Sequence, residues 1–125
     1  MKHLVVKRIL KNLTEKEGKK EIKNKRKLKK QVKKFLNSMI EQHNKKGKIK
    51  NKVLFFKIVK MKKVRGFYSL EPNKYKELTI IYVEKNIHGT IDFGKIKVPL
   101  HHLDKKEANL CSYQYKFLHQ IPSFD

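Results

Sequence analysis

The chain has 125 residues, a formal net charge of +22 and one cysteine. This length suits a single domain with or without an extension, and one cysteine excludes an intramolecular disulfide framework. No apolar run approaches the ~20 residues that a membrane-spanning helix requires. The charge is uneven: residues 1–65 contain 25 Lys and Arg and four Asp and Glu, whereas residues 66–125 contain 8 and 7. A basic half is therefore joined to an almost neutral half.

The N-terminal part predicts helices. Apolar residues between 2 and 13 recur at i, i+1, i+4, i+5 and i+8, which is the spacing of a short amphipathic helix. Thr14 and Glu17 fit a capping box, which predicts that a new helix begins there. The main helix is predicted to start near Lys20 or Glu21, to run to about Asn44 and to stop at Gly47. Its apolar residues lie on one face: Leu28, Val32, Phe35, Leu36, Met39 and Ile40.

From Ile49 onwards the apolar residues follow a period of two, which predicts strands. Residues 53–61 are apolar on both faces, as in a central strand, and residues 64–70 either continue this strand or form a second one. Residues 78–84 and 90–99 are predicted to form a hairpin. In residues 90–99 the apolar residues change parity after Phe93. A bulge at Gly94 would bring them all to one face, so we predict a bulge there.

The C-terminal part predicts another helix. Asp104 and Glu107 resemble a capping box, Leu110, Phe117 and Ile121 form a helical apolar stripe, and Pro122 would end it. The predicted fold class is α+β, with N-terminal basic helices followed by a three- to four-stranded antiparallel sheet that a C-terminal helix covers. We divide the chain into a basic helical RNA-binding extension, residues 1–47, and a small α+β body, residues 48–125.

The most basic stretch, Lys16–Lys34, contains eleven cations in nineteen residues and only two acids, Glu17 and Glu21. So much uncompensated charge opposes compaction and favours binding to a polyanion. Only three of the chain's 33 cations are Arg, and Lys lacks the bidentate fork of Arg, so contact with phosphate is favoured over reading of bases. The candidate RNA-binding residues are Lys16, Lys19, Lys20, Lys23, Lys25, Arg26, Lys27, Lys29, Lys30, Lys33, Lys34, Lys45, Lys46, Lys48, Lys50, Lys52, Lys62, Lys63 and Arg65.

Motifs for catalysis are absent from the sequence, which has no P-loop, no GxSxG and no GxGxxG. Cys111 and His119 would lie two turns apart on the predicted C-terminal helix, ~12 Å along its axis, too far for a nucleophile and its base. His101 and His102 lack the spacing of metal ligands. We therefore expect no enzyme activity, no cofactor, no metal site and no small-molecule substrate.

One short stretch resembles part of a known RNA-binding motif. Arg65, Gly66 and Phe67 match the basic-Gly-aromatic start of the sheet motif in RNA-recognition motifs, but Tyr68 and Ser69 do not continue the pattern. The predicted order of helices and strands also differs from that fold. Phe67 and Tyr68 either stack on an unpaired base or belong to the sheet or its core.

The composition is that of a small ribosomal protein: short, rich in Lys and without catalytic motifs. We therefore expect an RNA-binding structural component of a ribonucleoprotein, a small ribosomal protein that contacts ribosomal RNA phosphates and neighbouring ribosomal proteins, but no membrane. The alternative is a ribosome-associated silencing factor or a DNA- or chromatin-binding protein, since DNA offers phosphate too. We expect a cytoplasmic location on the ribosome. The mitochondrial ribosome is the alternative, because residues 1–13 are basic, amphipathic and free of acids, as at the start of a mitochondrial presequence.

Overall fold

A computed structural model of the protein describes residues 2–18, 25–47, 51–65, 74–86, 89–104 and 113–122. Two helices precede the strands: α1 is Lys2–Lys16 and α2 is Lys25–Gly47. The strands are β1, Lys52–Arg65; β2, Lys74–Lys85; β3, Thr90–Pro99; and β4, Gln114–Pro122. A single 3-10 turn, Leu100–His102, follows β3. The α+β class and the antiparallel sheet are thus confirmed, with four strands.

The four strands form one antiparallel sheet in the order β1-β2-β3-β4. Such a meander leaves β1 and β4 as its two edges. The interpretation of residues 53–61 as a central strand was therefore wrong: β1 is covered on both faces, but it is an edge strand. Both faces of the sheet are covered, because α1 lies on one face and α2 on the other. We call these the α1 face and the α2 face. The strands therefore carry apolar residues at both parities, which is expected for a sheet that is buried on both sides.

On the α2 face the predicted stripe of the main helix packs against alternate residues of β1, β2 and β3. All six stripe residues are buried, which confirms the helical periodicity from which they were predicted. Asn44, near the end of α2, exchanges two hydrogen bonds of 3.0 Å with the backbone of Asn51, which joins the helix to the start of β1. The core on this face contains Leu28, Val32, Phe35, Leu36, Met39, Ile58, Leu78, Ile80, Tyr82, Ile96, Val98 and Leu103.

On the α1 face a smaller core forms under the N-terminal helix. It contains Val6, Leu10, Val59, Ile81, Val83, Ile91 and Phe93. Glu17, just after α1, forms ion pairs with residues of two strands. Its carboxylate is 2.7 Å from the Lys95 ammonium and 3.6 Å from the Lys60 ammonium. This pairing fixes the end of α1 over the sheet, because Lys60 belongs to β1 and Lys95 to β3.

The start of a second helix at Thr14 was a wrong prediction. Thr14 lies inside α1, and its hydroxyl donates a 2.7 Å hydrogen bond to the carbonyl of Leu10. The hydroxyl is thus used within the preceding turn, not as an N-cap. Gly18, which follows the helix, adopts a φ of 72°, a conformation that glycine accepts readily at a helix end. The predicted start of the main helix near Lys20 or Glu21 lies outside the described residues.

The bulge at Gly94 was also a wrong prediction. The pairing of β3 with β2 is unbroken from Ile91 to Pro99, and the apolar residues of the two parities pack on opposite faces of the sheet. The prediction failed because it assumed that one face was open to solvent. The register shift between β3 and β4 instead skips Leu118 of β4.

The C-terminal helix was wrongly predicted over Gln114–Pro122, since these residues form β4 and pair with β3. Four aromatic or β-branched residues, Tyr115, Phe117, Ile121 and the preceding Tyr113, suit a strand. Their spacing also fitted a helical stripe, and short apolar runs do not distinguish the two. The predicted caps of this helix, with Glu107 and Leu110, lie outside the described residues, apart from Asp104. Residues 66–70 of the possible second strand also lie outside them.

Candidate nucleic-acid interface

The exposed side of α2 is a row of cations. Because the six apolar residues of the helix turn toward the sheet, the Lys and Arg residues between them turn outward. All seven are exposed: Lys25, Arg26, Lys27, Lys29, Lys30, Lys33 and Lys34. We call them the α2 cations. Within the described part of the chain, no ion pair joins any of them to an acid. Neighbouring lysines at i, i+4 repel each other, so an anion at this surface would stabilise the helix.

A second group of cations lies on the α2 face at one end of the sheet. Met61 and Leu78 are register partners, and both pack in the α2-face core. Since side chains alternate along a strand, the pairs two and four residues further along lie on the same face. These are Lys63 with Lys76 and Arg65 with Lys74. Like charges directly opposite each other destabilise a strand pair. We call these four residues the basic sheet end.

The two groups meet in an open groove. The groove has a volume of about 480 Å³, and its lining includes Lys27 and Leu28 of α2, Met61 of β1 and Lys76 of β2. Asp104 is the acid that lines it. An anion in this groove would lie between cations from a helix and from the sheet. The geometry can bind phosphate by charge.

The opposite face of the same strand pair shows how compensated charges look in this protein. Lys62 of β1 is opposite Glu77 of β2, so this pair attracts where the neighbouring pairs repel. The Lys95 ammonium donates a hydrogen bond to Glu17 and, together with the charge of Lys60, holds the pKa of the Glu17 carboxyl below its ordinary value, although partial burial opposes this shift. On the α1 face, Glu17 and Glu77 thus lie next to cations. Among the described residues, no acid is opposite a cation of the basic sheet end.

The structure brings together most, but not all, of the described candidate residues. The α2 cations, Lys63 and Arg65 share one face of the sheet. Lys62 lies on the other face, Lys16 lies at the end of α1, and Lys52 begins the edge strand β1. Lys45 and Lys46 lie in the last turns of α2, but their side chains are not among those described. Lys19, Lys20, Lys23, Lys48 and Lys50 lie outside the described residues, as do Phe67 and Tyr68.

Two residues of the interface were missed by the sequence reasoning, Lys74 and Lys76. They precede residues 78–84, the range over which this strand was predicted. The signal that reveals them is pairing: once β1 and β2 are aligned as antiparallel neighbours, both residues fall opposite cations that had already been selected. This alignment requires the hydrogen-bonding register, which the composition of either strand alone does not give.

The edge of the sheet formed by β4, which we call the far edge, differs from the β1 edge in its exposed residues. Tyr115 and Phe117 of β4 are 41% and 53% exposed. Glu84 of β2 and Asp92 of β3 are opposite each other, and both lie on the α2 face. Burial, with the charges of these two acids, raises the pKa of the Tyr115 hydroxyl to about 12. Negative charge beside these aromatic rings disfavours the approach of a nucleic-acid backbone.

The histidines after β3 form a small aromatic cluster. The rings of His101 and His102 are 4.6 Å apart at their centroids, and His102 Nδ1 is 3.1 Å from the hydroxyl of Tyr113. Tyr113 also meets the ring of Phe35 edge-on at 5.5 Å, so this cluster connects the start of β4 to α2. In the part of the chain that the structure describes, no group of three His, Cys, Asp or Glu is arranged to hold a metal ion. Cys111 lies outside that part.

Comparison of the chain with protein-family models, with curated proteins and with solved structures gave no match. Neither α1 nor α2, as described, is long and apolar enough to cross a membrane.

Proposed function

We propose that the protein is an RNA-binding structural component of a ribonucleoprotein. Specifically, it is a small ribosomal protein that contacts ribosomal RNA phosphates through its Lys-rich N-terminal half and neighbouring ribosomal proteins elsewhere, on cytoplasmic ribosomes. One observation carries the proposal. The like-charged register pairs of the basic sheet end lie on the same face as the α2 cations, and a groove lined by Lys27 and Lys76 connects them. Such an arrangement is unfavourable until an anion occupies it.

A polyanion with regularly spaced charges suits this surface better than a single small anion does. The α2 cations extend over ten residues of helix, ~15 Å along its axis, and the basic sheet end continues the positive surface beyond the helix. Almost all the groups are Lys, which binds phosphate as a point charge. Contacts of this kind position a protein on RNA without reading its sequence. This suits a component whose place is set by the shape of a folded RNA.

The first experiment measures RNA affinity against salt concentration. If the interface neutralises about eight phosphates, log K falls against log salt with a slope of about −6 to −7. The double variant Lys29→Gln/Lys33→Gln should reduce this slope by about 2, since two contacts are lost. The matched control, Lys97→Gln/Lys116→Gln, removes two cations near the far edge and should leave the slope unchanged. A wild-type slope shallower than about −2 would contradict the proposal.

The second experiment tests the ribosome itself. The native protein should sediment with ribosomal subunits, and high salt or nuclease should release it, because phosphate contacts weaken as salt rises. Recovery with chromosomal DNA would instead support the DNA- or chromatin-binding alternative. Association with inactive subunits alone would support the silencing-factor alternative.

A further inference from the structure

A second groove lies on the other side of the β1 edge, between α1 and the strand. Its volume is about 660 Å³, within the usual range of small-ligand sites. Leu10 and Phe55 contribute its apolar lining, and Lys7, Lys11 and Lys57 contribute its cations. None of these cations belongs to the candidate residues selected from the sequence. The groove is thus separate from the surface formed by the α2 cations and the basic sheet end.

Phe55, one of the two aromatic residues that line this groove, is only partly buried. Phe55 packs at the margin of the α1-face core, and its ring is still accessible from the groove. The Lys7 ammonium lies over this ring, 5.7 Å from its centroid, near the ~6 Å limit of a cation–π contact. An aromatic ring beneath a cation is a surface on which a nucleobase can stack while its phosphate meets the cation.

The charge of the groove selects an anion. Lys7, Lys11 and Lys57 are all exposed, and Glu15 is the acid that lines the groove with them. Three cations around an apolar floor give a ligand with an anionic group and a flat apolar group two complementary contacts. An apolar peptide would offer no anion to these cations, and a free phosphate would offer no flat group to the aromatic ring.

From this combination we propose that the groove between α1 and β1 binds one unpaired nucleotide of the RNA, with its base on Phe55 and its phosphate against Lys7, Lys11 and Lys57. This inference depends on the proposed RNA-binding function. It adds that the RNA must offer a single-stranded nucleotide where it passes the β1 edge. The contact is stacking, so the site accepts any base.

The base has to displace Lys7 from the ring, and the magnitudes permit this. An exposed cation–π contact contributes about two- to fivefold to an equilibrium. Stacking of a base on an aromatic side chain contributes about five- to a hundredfold. The displaced ammonium also does not lose its partner, since it can move from the ring to the phosphate of the same nucleotide.

A third groove connects this site with the α2 cations. It lies between α2 and β1, has a volume of about 280 Å³, and includes Lys29, Lys33 and Phe56 in its lining. Phe55 and Phe56 line both grooves, so the two grooves meet at the β1 edge. A strand of RNA that leaves the surface of α2 at Lys33 therefore reaches the groove under α1 by crossing one strand of the sheet.

The test compares a labelled ten-nucleotide oligouridine with a 16-base-pair RNA duplex, using the full-length protein and fluorescence anisotropy. Phe55→Leu keeps an apolar side chain but removes the ring. It should weaken oligouridine binding about five- to thirtyfold and change duplex binding less than twofold. Phe55→Tyr keeps a ring and should retain the affinity for oligouridine. The matched control, Phe117→Leu, alters an exposed phenylalanine on the opposite edge strand and should change neither affinity.

The outcomes separate the two proposals. If the wild type binds neither RNA, both the proposed function and this inference are wrong. If it binds both RNAs and Phe55→Leu binds oligouridine as tightly as the wild type, only this inference is wrong. Equal weakening by Phe55→Leu and Phe55→Tyr would also overturn it, because the ring would not be the cause. Photo-crosslinking with 5-iodouridine gives an independent result: the expected adduct is on Phe55, and an adduct confined to Phe117 would contradict the site.

Discussion

Replacing Lys76 by glutamate should change folding and binding in opposite directions. Lys76 is exposed and lies directly opposite Lys63 in the pairing of β1 with β2. In the free protein this pair repels, and Lys76→Glu turns it into an attractive pair. In the complex the same change removes one cation from the groove shared with Lys27 and places an anion there. The variant should therefore be more stable than the wild type and bind RNA more weakly.

The expected sizes follow from the geometry of the pair. Directly opposite charges contribute roughly 0.2–1 kcal/mol, with the sign set by the charges, so the reversal should stabilise the free protein by about 0.5–2 kcal/mol. For a domain of this length the melting temperature should rise by about 2–6 °C in low salt. One lost phosphate contact should reduce the salt slope of binding by about 1 and the affinity at 50 mM salt about tenfold.

The assay is thermal unfolding at low and high salt, paired with the binding measurement. Added salt should shrink the gain in stability, because exposed charges are screened. Lys62→Glu is the matched control one residue from Lys63. Lys62 faces Glu77, so this variant creates a repulsive pair and should lower the melting temperature. A fall in stability for both variants, or a gain for Lys76→Glu without weaker RNA binding, would refute the reasoning.

Two further predictions concern the body of the fold. Glu17→Gln should destabilise the protein by about 1–2 kcal/mol at pH 7, because the Lys60 and Lys95 ammoniums lose their shared carboxylate. Since the pKa of Glu17 is lowered in the folded protein, its contribution is complete well above the ordinary pKa of 4.5 and is lost as the pH falls through the folded value, so wild type and variant should converge in acid unfolding curves. Gly94→Ala should cost about 1 kcal/mol, the lower end for overpacking, because the new Cβ would lie 2.5 Å from Cε2 of the Tyr115 ring, whose exposed end can shift. In urea unfolding the double variant Gly94→Ala/Tyr115→Ala should cost no more than Tyr115→Ala alone; additive losses would contradict this contact.

The parts of the fold that could be predicted were those whose signal is local. The six-residue stripe of α2 indicates which side of the helix is buried, and the apolar residues at both parities of β1 and β2 indicate strands that are covered on both faces. Both signals appear in the order of residues along the chain. The conformation of Gln114–Pro122 is not determined by a local sequence pattern. Tyr113 and Tyr115 suit a helix or a strand by spacing, and the outcome depends on whether the edge of β3 has a partner. In the folded protein β4 is that partner.

Gly94 shows that the parity of apolar residues can point to a position without giving the reason for its role. Parity alone suggested a bulge in β3 at this glycine. The pairing of β3 with β2 is regular there, the register shift toward β4 leaves out Leu118 of β4, and the ring of Tyr115 occupies the space that a Cβ at residue 94 would need. Tyr115 belongs to a strand that the sequence did not reveal. A close contact between two strands cannot be inferred from a sequence until their pairing is known.

For the site, the sequence predicted where cations are abundant but not where they meet. Composition identified the α2 cations, and the apolar stripe predicted which side of the helix is buried. The position of Lys74 and Lys76 opposite other cations depends on the register of β2 with β1. The grouping of Lys7, Lys11 and Lys57 depends on the packing of α1 beside the β1 edge. Such contacts lie far apart in sequence, and only the folded chain brings them together.

The two edges of the sheet together suggest how the protein is oriented on RNA. Strand β1 contains six cations in its 14 residues, whereas β4 contains one Lys in nine residues and exposes Tyr115 and Phe117. Lysine on an edge strand also discourages pairing with another strand, so β1 is adapted to face phosphate and not a further sheet. If RNA lies against β1 and α2, Asp92 of β3, which pairs with Gln120 of β4, is kept away from it. We therefore expect RNA to protect the α2 cations from modification by an amine-reactive reagent while leaving Lys116 of β4 reactive. Equal protection of Lys116 would mean that the backbone of the RNA also passes the far edge, and the orientation argued from the charges would be wrong.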